Sequence, residues 1–207
     1  MLTTFTKRNP RRFWKWFSRH EEEFFNINDE NFNSLFFKMD KFIEKYNPFL
    51  GFEIIKEAEN GKKELVITAN GNVLLFDTVF ALINAAPDNL KERWNFTALR
   101  QGNIDEVIIH FEDLTISSKD IYYEIEESEI ERGKWDIFIY VEGVYYDSSD
   151  TEEFIASTMM SVLDGLIGEY QCANKINELI LVEKGELPSP KNILHLKREI
   201  NNLDAEH

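Results

Sequence analysis

The chain has 207 residues, 43% hydrophobic and including 17 Phe, and a formal charge of −15. That charge argues against nucleic acid as the main partner, because phosphates would repel most of the surface. No run approaches the roughly 18 apolar residues of a membrane span, no signal-like apolar run follows the basic start, and a lone Cys172 forms no intrachain disulfide, as expected of a reducing cytoplasm.

Asn9-Pro10 opens a first helix, with Asn as the cap and Pro at the first helical position. Phe13, Phe17 and Phe24 follow one stripe with Trp14 and Phe25 beside it, while Arg8, Arg12, Lys15 and Arg19 recur on another face. Positive charge is concentrated here. The first 20 residues hold six basic side chains and no carboxylate, a charge of +6, which leaves 38 acidic against 17 basic groups, or −21, in the rest. A second helix is predicted over 29–46, with Phe32, Leu35, Phe36, Met39, Phe42 and Ile43 as its apolar stripe and Asn47-Pro48 as its stop.

Residues 51–58 and 64–69 read as a hairpin turning at Glu59-Asn60-Gly61-Lys62. A helix over 73–86 ends at Ala85-Ala86-Pro87. Strands follow at 94–99, 106–111, 114–117, 121–125 and 135–142. The last alternates Trp135, Ile137, Ile139 and Val141 with Asp136, Phe138, Tyr140 and Glu142, so one face lies on the core, under a late helix carrying Phe154, Met159 and Leu163. Asp150-Thr151-Glu152-Glu153 caps that helix, which runs to 167 and is closed by Gly168. A strand over 176–182 and a short helix over 192–201 complete the order. Strands grouped together rather than alternating with helices indicate α+β: a mostly antiparallel sheet with helices packed on it, including an aromatic N-terminal helical pair. The expectation is one domain over 1–207, with residues 1–12 as a basic arm.

Catalytic patterns are sparse. His20-Glu21-Glu22-Glu23-Phe24 lacks the second His of a zincin helix. His110 alternates onto one strand face with Glu106 and Glu112, a conceivable carboxylate–His metal site set against a solvent-facing strand surface. Asp164, Glu169 and Tyr170 cluster where the late helix ends, either as an acid/base device or as helix-end packing in which Tyr170 holds Gly168-Glu169 against the sheet. The nine glycines form no phosphate-binding loop, and Cys172 has no CxxC partner. No cofactor and no structural metal are expected.

Four stretches together resemble an uncharacterised conserved family of bacterial proteins, a domain of unknown function. They are Phe13-Trp14-Lys15-Trp16-Phe17 with Glu22 to Phe25, Gly61-Lys62-Lys63-Glu64-Leu65-Val66-Ile67-Thr68-Ala69, Ala85-Ala86-Pro87, and Leu163-Asp164-Gly165-Leu166-Ile167-Gly168-Glu169-Tyr170. The resemblance spans roughly residues 13–182. It implies a soluble bacterial α+β protein and brings no catalytic residues.

Three functions remain open on the sequence. The first is a binding protein whose acidic surface captures a basic protein partner, in the manner of immunity proteins, with carboxylates steering the encounter. The second is a hydrolase-type enzyme whose site is assembled only in the fold. The third is a membrane-peripheral protein using the basic aromatic helix, although docking of that helix on its own domain explains the pattern more simply.

Overall fold

The computed structural model describes residues 9–55, 61–102, 106–111, 114–145 and 148–203. They gather into two compact units, Met1–Arg100 and Gln101–His207. The architecture is α+β, with helices packed on largely antiparallel sheets and an aromatic helical pair at the start.

In the first unit, α1 (Pro10–Phe25) and α2 (Phe32–Tyr46) precede β1 (Gly51–Ile55), β2 (Lys63–Thr68), α3 (Phe76–Asn84) and β3 (Trp94–Ala98). The Asn9 side chain accepts the Arg11 N–H at 3.0 Å and Pro10 takes the first helical position, so α1 starts where the sequence says it should. Its aromatic face is fully committed: Phe13, Trp14, Phe17 and Phe24 are at most 1% exposed. The Trp14 indole donates to the Leu82 carbonyl at 2.7 Å, Trp16 stacks on Phe42 of α2 at 4.0 Å, and Phe17 meets Trp94 of β3 edge-on at 5.3 Å. Burial of each large side chain is worth about 1.5–3 kcal/mol. Of the basic face, Arg12, Lys15 and Arg19 are exposed, and Arg8 lies outside the described residues.

On α2 the buried stripe is Leu35, Met39, Ile43 and Tyr46. Phe32 and Phe36, expected to face inward, are about 40% exposed at its shoulder, where Phe36 still reaches Phe52 at 4.5 Å. β1 and β2 pair antiparallel from Gly51↔Thr68 to Ile55↔Glu64, as a hairpin requires, although most of the turn lies outside the described residues. β3 joins the other side of β2 in parallel, giving the order β1-β2-β3. Two consecutive sequence segments cannot pair in parallel through a tight turn, and α3 is the crossover that makes it feasible. The predicted helix over 73–86 divides into a 3-10 turn, Val73–Leu75, and α3 proper.

The second unit comprises β4 (Ile108–Phe111), β5 (Leu114–Ser117), β6 (Ile121–Glu127), β7 (Trp135–Val141), α4 (Ser149–Ile167), α5 (Glu169–Lys175), β8 (Ile176–Leu181), β9 (Lys191–Asn192) and α6 (Leu196–Leu203). β4 and β5 form a hairpin. The main sheet runs β8-β7-β6-β9, antiparallel except for β7 with β8, which α4 and α5 connect. Ile137, Ile139 and Val141 are buried with Ile155, Met159 and Leu163 of α4, and Trp135 and Phe154 pack partly buried on the same core. The face read from the alternation of β7 is therefore the core face. α6 adds Leu196 and Ile200 to that core.

Candidate functional site

Of the six residues singled out from the sequence, four have described side chains, and among these Asp164 and Glu169 converge in the interior. Glu106 lies before β4 and is exposed, its carboxylate paired with the Lys119 ammonium at 2.7 Å. His110 sits in β4 opposite Thr115, but its side chain, like all of Glu112, lies outside the described residues. Tyr170 is 57% exposed, so its ring does not hold the helix junction on the sheet as expected.

The junction is held by backbone packing instead. α4 ends at Gly168, whose φ of 95° turns the chain directly into α5. Gly102, at φ +64°, passes so close that a Cβ there would stand 2.3 Å from the Gly168 nitrogen and 2.4 Å from the Ile167 carbonyl carbon. Only glycine fits. The Lys197 ammonium on α6 donates to the Gly102 carbonyl at 2.5 Å and fixes this loop to the helices.

Under that crossing lie Asp164 (4% exposed), Glu169 (0%) and Cys172 (2%). The thiol hydrogen-bonds to Asp164, and its pKa is driven far up, first by burial, then by the negative charge of Asp164, that hydrogen bond, and the charge of Glu169. A thiol so placed stays protonated, the reverse of the electropositive setting that makes a nucleophilic cysteine. What the cluster can do is give α4 and α5 a polar anchor at their bend. Among the described residues no three His, Cys, Asp or Glu side chains stand in metal-holding geometry.

A second constellation lies on the outer face of the β8-β7-β6-β9 sheet. Because strand side chains alternate, the residues between the core positions share this face: Tyr122, Glu124 and Glu126 of β6, Asp136, Phe138 and Tyr140 of β7, and Glu178 and Ile180 of β8. The register places Tyr122 opposite Tyr140, Glu124 opposite Phe138 and Phe138 opposite Ile180. The two tyrosine rings stack at 6.1 Å. Glu126, Asp136 and Glu178 stand in one cross-strand row. Glu126 and Glu178 are exposed, whereas Asp136 is half-buried and accepts from the Asn177 amide at 2.7 Å. Glu124 accepts the Ser189 N–H. Beyond Tyr140 the face ends in a cavity of about 250 Å³ formed by Tyr140 with residues 142–145 and 182–184, where Lys184 pairs with Glu142 at 3.2 Å.

Sequence reasoning passed over this face although its signal was present. The polar alternation of β7 names Asp136, Phe138 and Tyr140, but the acidic row exists only once β6 and β8 are placed on either side. Compared with models of known protein families, with curated proteins and with solved structures, the chain matches none.

Proposed function

We propose that this chain is a non-catalytic binding protein that captures a basic protein partner on the outer face of the β8-β7-β6-β9 sheet. The carrying observation is the cross-strand row Glu126, Asp136 and Glu178 beside the half-buried strip Tyr122, Tyr140, Phe138 and Ile180. Like charges directly opposite one another destabilise a sheet, so the row costs the fold stability that an incoming cation would return. The aromatic strip offers the large, rigid contact area on which interfaces concentrate their binding energy.

Charge at the level of the units supports the same reading. Residues 101–207 carry 24 Asp and Glu against 8 Lys and Arg, a charge of −16, while residues 1–100 carry 14 against 15, a charge of +1. The acidity is a property of the unit that bears the sheet face. A field of that kind accelerates encounter with a cationic protein, an effect that salt suppresses.

The test is a purified basic partner and a charge-reversed face. Association is expected to slow by about tenfold or more between low and physiological salt. The double substitution Glu126→Lys, Glu178→Lys should slow it comparably while raising the folding transition slightly, because it relieves the like-charge row around Asp136, whereas Tyr140→Ala should speed dissociation. Binding unchanged by the double substitution would place the interface elsewhere and overturn the reading.

A further inference from the structure

The first unit has an unpaired sheet edge with a cleft beside it. β3 is the terminal strand of the order β1-β2-β3. The Lys63 N–H donates to the Arg93 carbonyl at 3.1 Å, and the Leu99 N–H to the Ile67 carbonyl at 2.8 Å. With Lys63 opposite Trp94 in a parallel ladder, alternate residues of β3 bond the neighbouring strand. Arg93, Asn95, Thr97 and Leu99 therefore face β2, and Trp94 and Phe96 turn their N–H and C=O groups to the open edge. Among the described residues no backbone group pairs with either of them on that side.

A cleft of about 410 Å³ runs along this edge. It touches Trp94, Asn95 and Phe96 in succession. Consecutive strand residues point to opposite faces, so a cleft that meets all three follows the backbone edge rather than one face of the sheet. Ile83 and Asn84 at the end of α3 form the opposite wall, and Lys62 and Lys91 stand at the rim. The Lys62 ammonium donates to the Lys91 carbonyl at 2.6 Å, and the Lys91 ammonium pairs with Asp88, whose side chain is 95% exposed. An ion pair that open to water is worth little and exchanges readily for another carboxylate. The volume lies within the roughly 300–1,000 Å³ of ordinary ligand clefts.

We propose that this cleft is a strand-addition site for an extended acidic peptide segment of a partner protein. Main-chain groups of the peptide pair with Trp94 and Phe96, and its carboxylates meet Lys62 and Lys91. Edge pairing supplies affinity through the backbone, and the rim supplies the preference for negative side chains. The inference is independent of the acidic sheet face, since it rests on residues 62–96 alone and calls for a partner of the opposite charge.

The probe is a library of end-blocked hexapeptides with Glu at alternate positions and varied residues between, added to the full-length, isotope-labelled chain and followed by amide exchange in NMR. For the peptides that bind, the amides of Trp94 and Phe96 are expected to shift and to exchange about tenfold more slowly, as newly formed hydrogen bonds require. The amides of Asn95 and Thr97, already bonded to β2, should change little. N-methylation of alternate peptide amides should abolish binding. The double variant Lys62→Glu, Lys91→Glu should reject the Glu peptides and accept their Lys counterparts, a gain that a merely unfolded variant cannot show. Failure of the whole library, binding indifferent to N-methylation, or the same shifts produced by inorganic phosphate alone would each overturn the proposal.

Discussion

The carboxylate of Glu21 accepts the indole N–H of Trp94 at 2.6 Å, with Trp94 1% exposed and Glu21 9%. The Arg93 guanidinium reaches the other Glu21 oxygen at 3.3 Å and Glu22 at 2.9 Å, and it lies over the Phe25 ring at 3.7 Å. The run Glu21 to Glu23, on the helix stretch that lacks a zincin's second His, thus contains the residue that locks α1 onto β3. Removing the acceptor would leave a buried indole N–H unsatisfied, at about 1–3 kcal/mol. Glu21→Ala should lose that much in denaturant unfolding, and Glu21→Gln, which keeps an oxygen for the indole, distinctly less. Equal losses would mean that the ion pair with Arg93, and not the indole, is what Glu21 serves.

The aromatic face of α1 should outweigh its basic face. Phe17→Ala empties a fully buried site and should cost about 3–5 kcal/mol. Arg12 and Lys15 are exposed, and replacing both with Ala should change stability by no more than about 1 kcal/mol, less still in salt. Thermal melts of the two variants at two ionic strengths check the ranking, and a larger loss in the charge variant would reverse it.

Ile139 is 1% exposed in the sheet core beneath α4. Ile139→Ala should cost about 2–5 kcal/mol in urea unfolding. The neighbouring change Tyr140→Ala, on the opposite face, should cost less, because its ring is only half-buried.

Alkaline pH should weaken the fold. The pKa values of Cys172 and Tyr123 are both raised, each first by burial, and the Tyr123 hydroxyl donates to Glu199 at 2.5 Å. In the unfolded chain these groups ionise from about pH 8.5 and pH 10, while the folded chain keeps their protons. The folded state then binds more protons than the unfolded one, so stability is full below those values and falls as pH rises past them. Unfolding free energy measured from pH 7 to 11 should decline, and Cys172→Ala with Tyr123→Phe should flatten the decline. The native thiol should also resist a disulfide reagent at pH 9 until the protein is unfolded.

Most of the order of elements, the cap of α1, the antiparallel pairing of β1 with β2 and the core face of β7 were legible in the sequence because each depends on near neighbours, while α5 and β9 were not. Asn9-Pro10 caps the helix whatever lies beyond it, and alternation along residues 135–141 sorts the side chains of a strand before its partners are known. Pairings between distant segments were not legible. Nothing local makes β3 bond β2 in parallel, brings β9 beside β6, or sets Asp136 between Glu126 and Glu178. Nor does local sequence pack Gly102 against the α4–α5 bend, or carry Glu21 from a charged helix face to the indole of Trp94, 73 residues away. Those contacts follow from how hydrophobic faces are matched across the chain once the whole core is buried, a global competition that no single stretch encodes. Local periodicity therefore determined what each segment became, and tertiary packing alone decided which charged and polar groups came to share a surface.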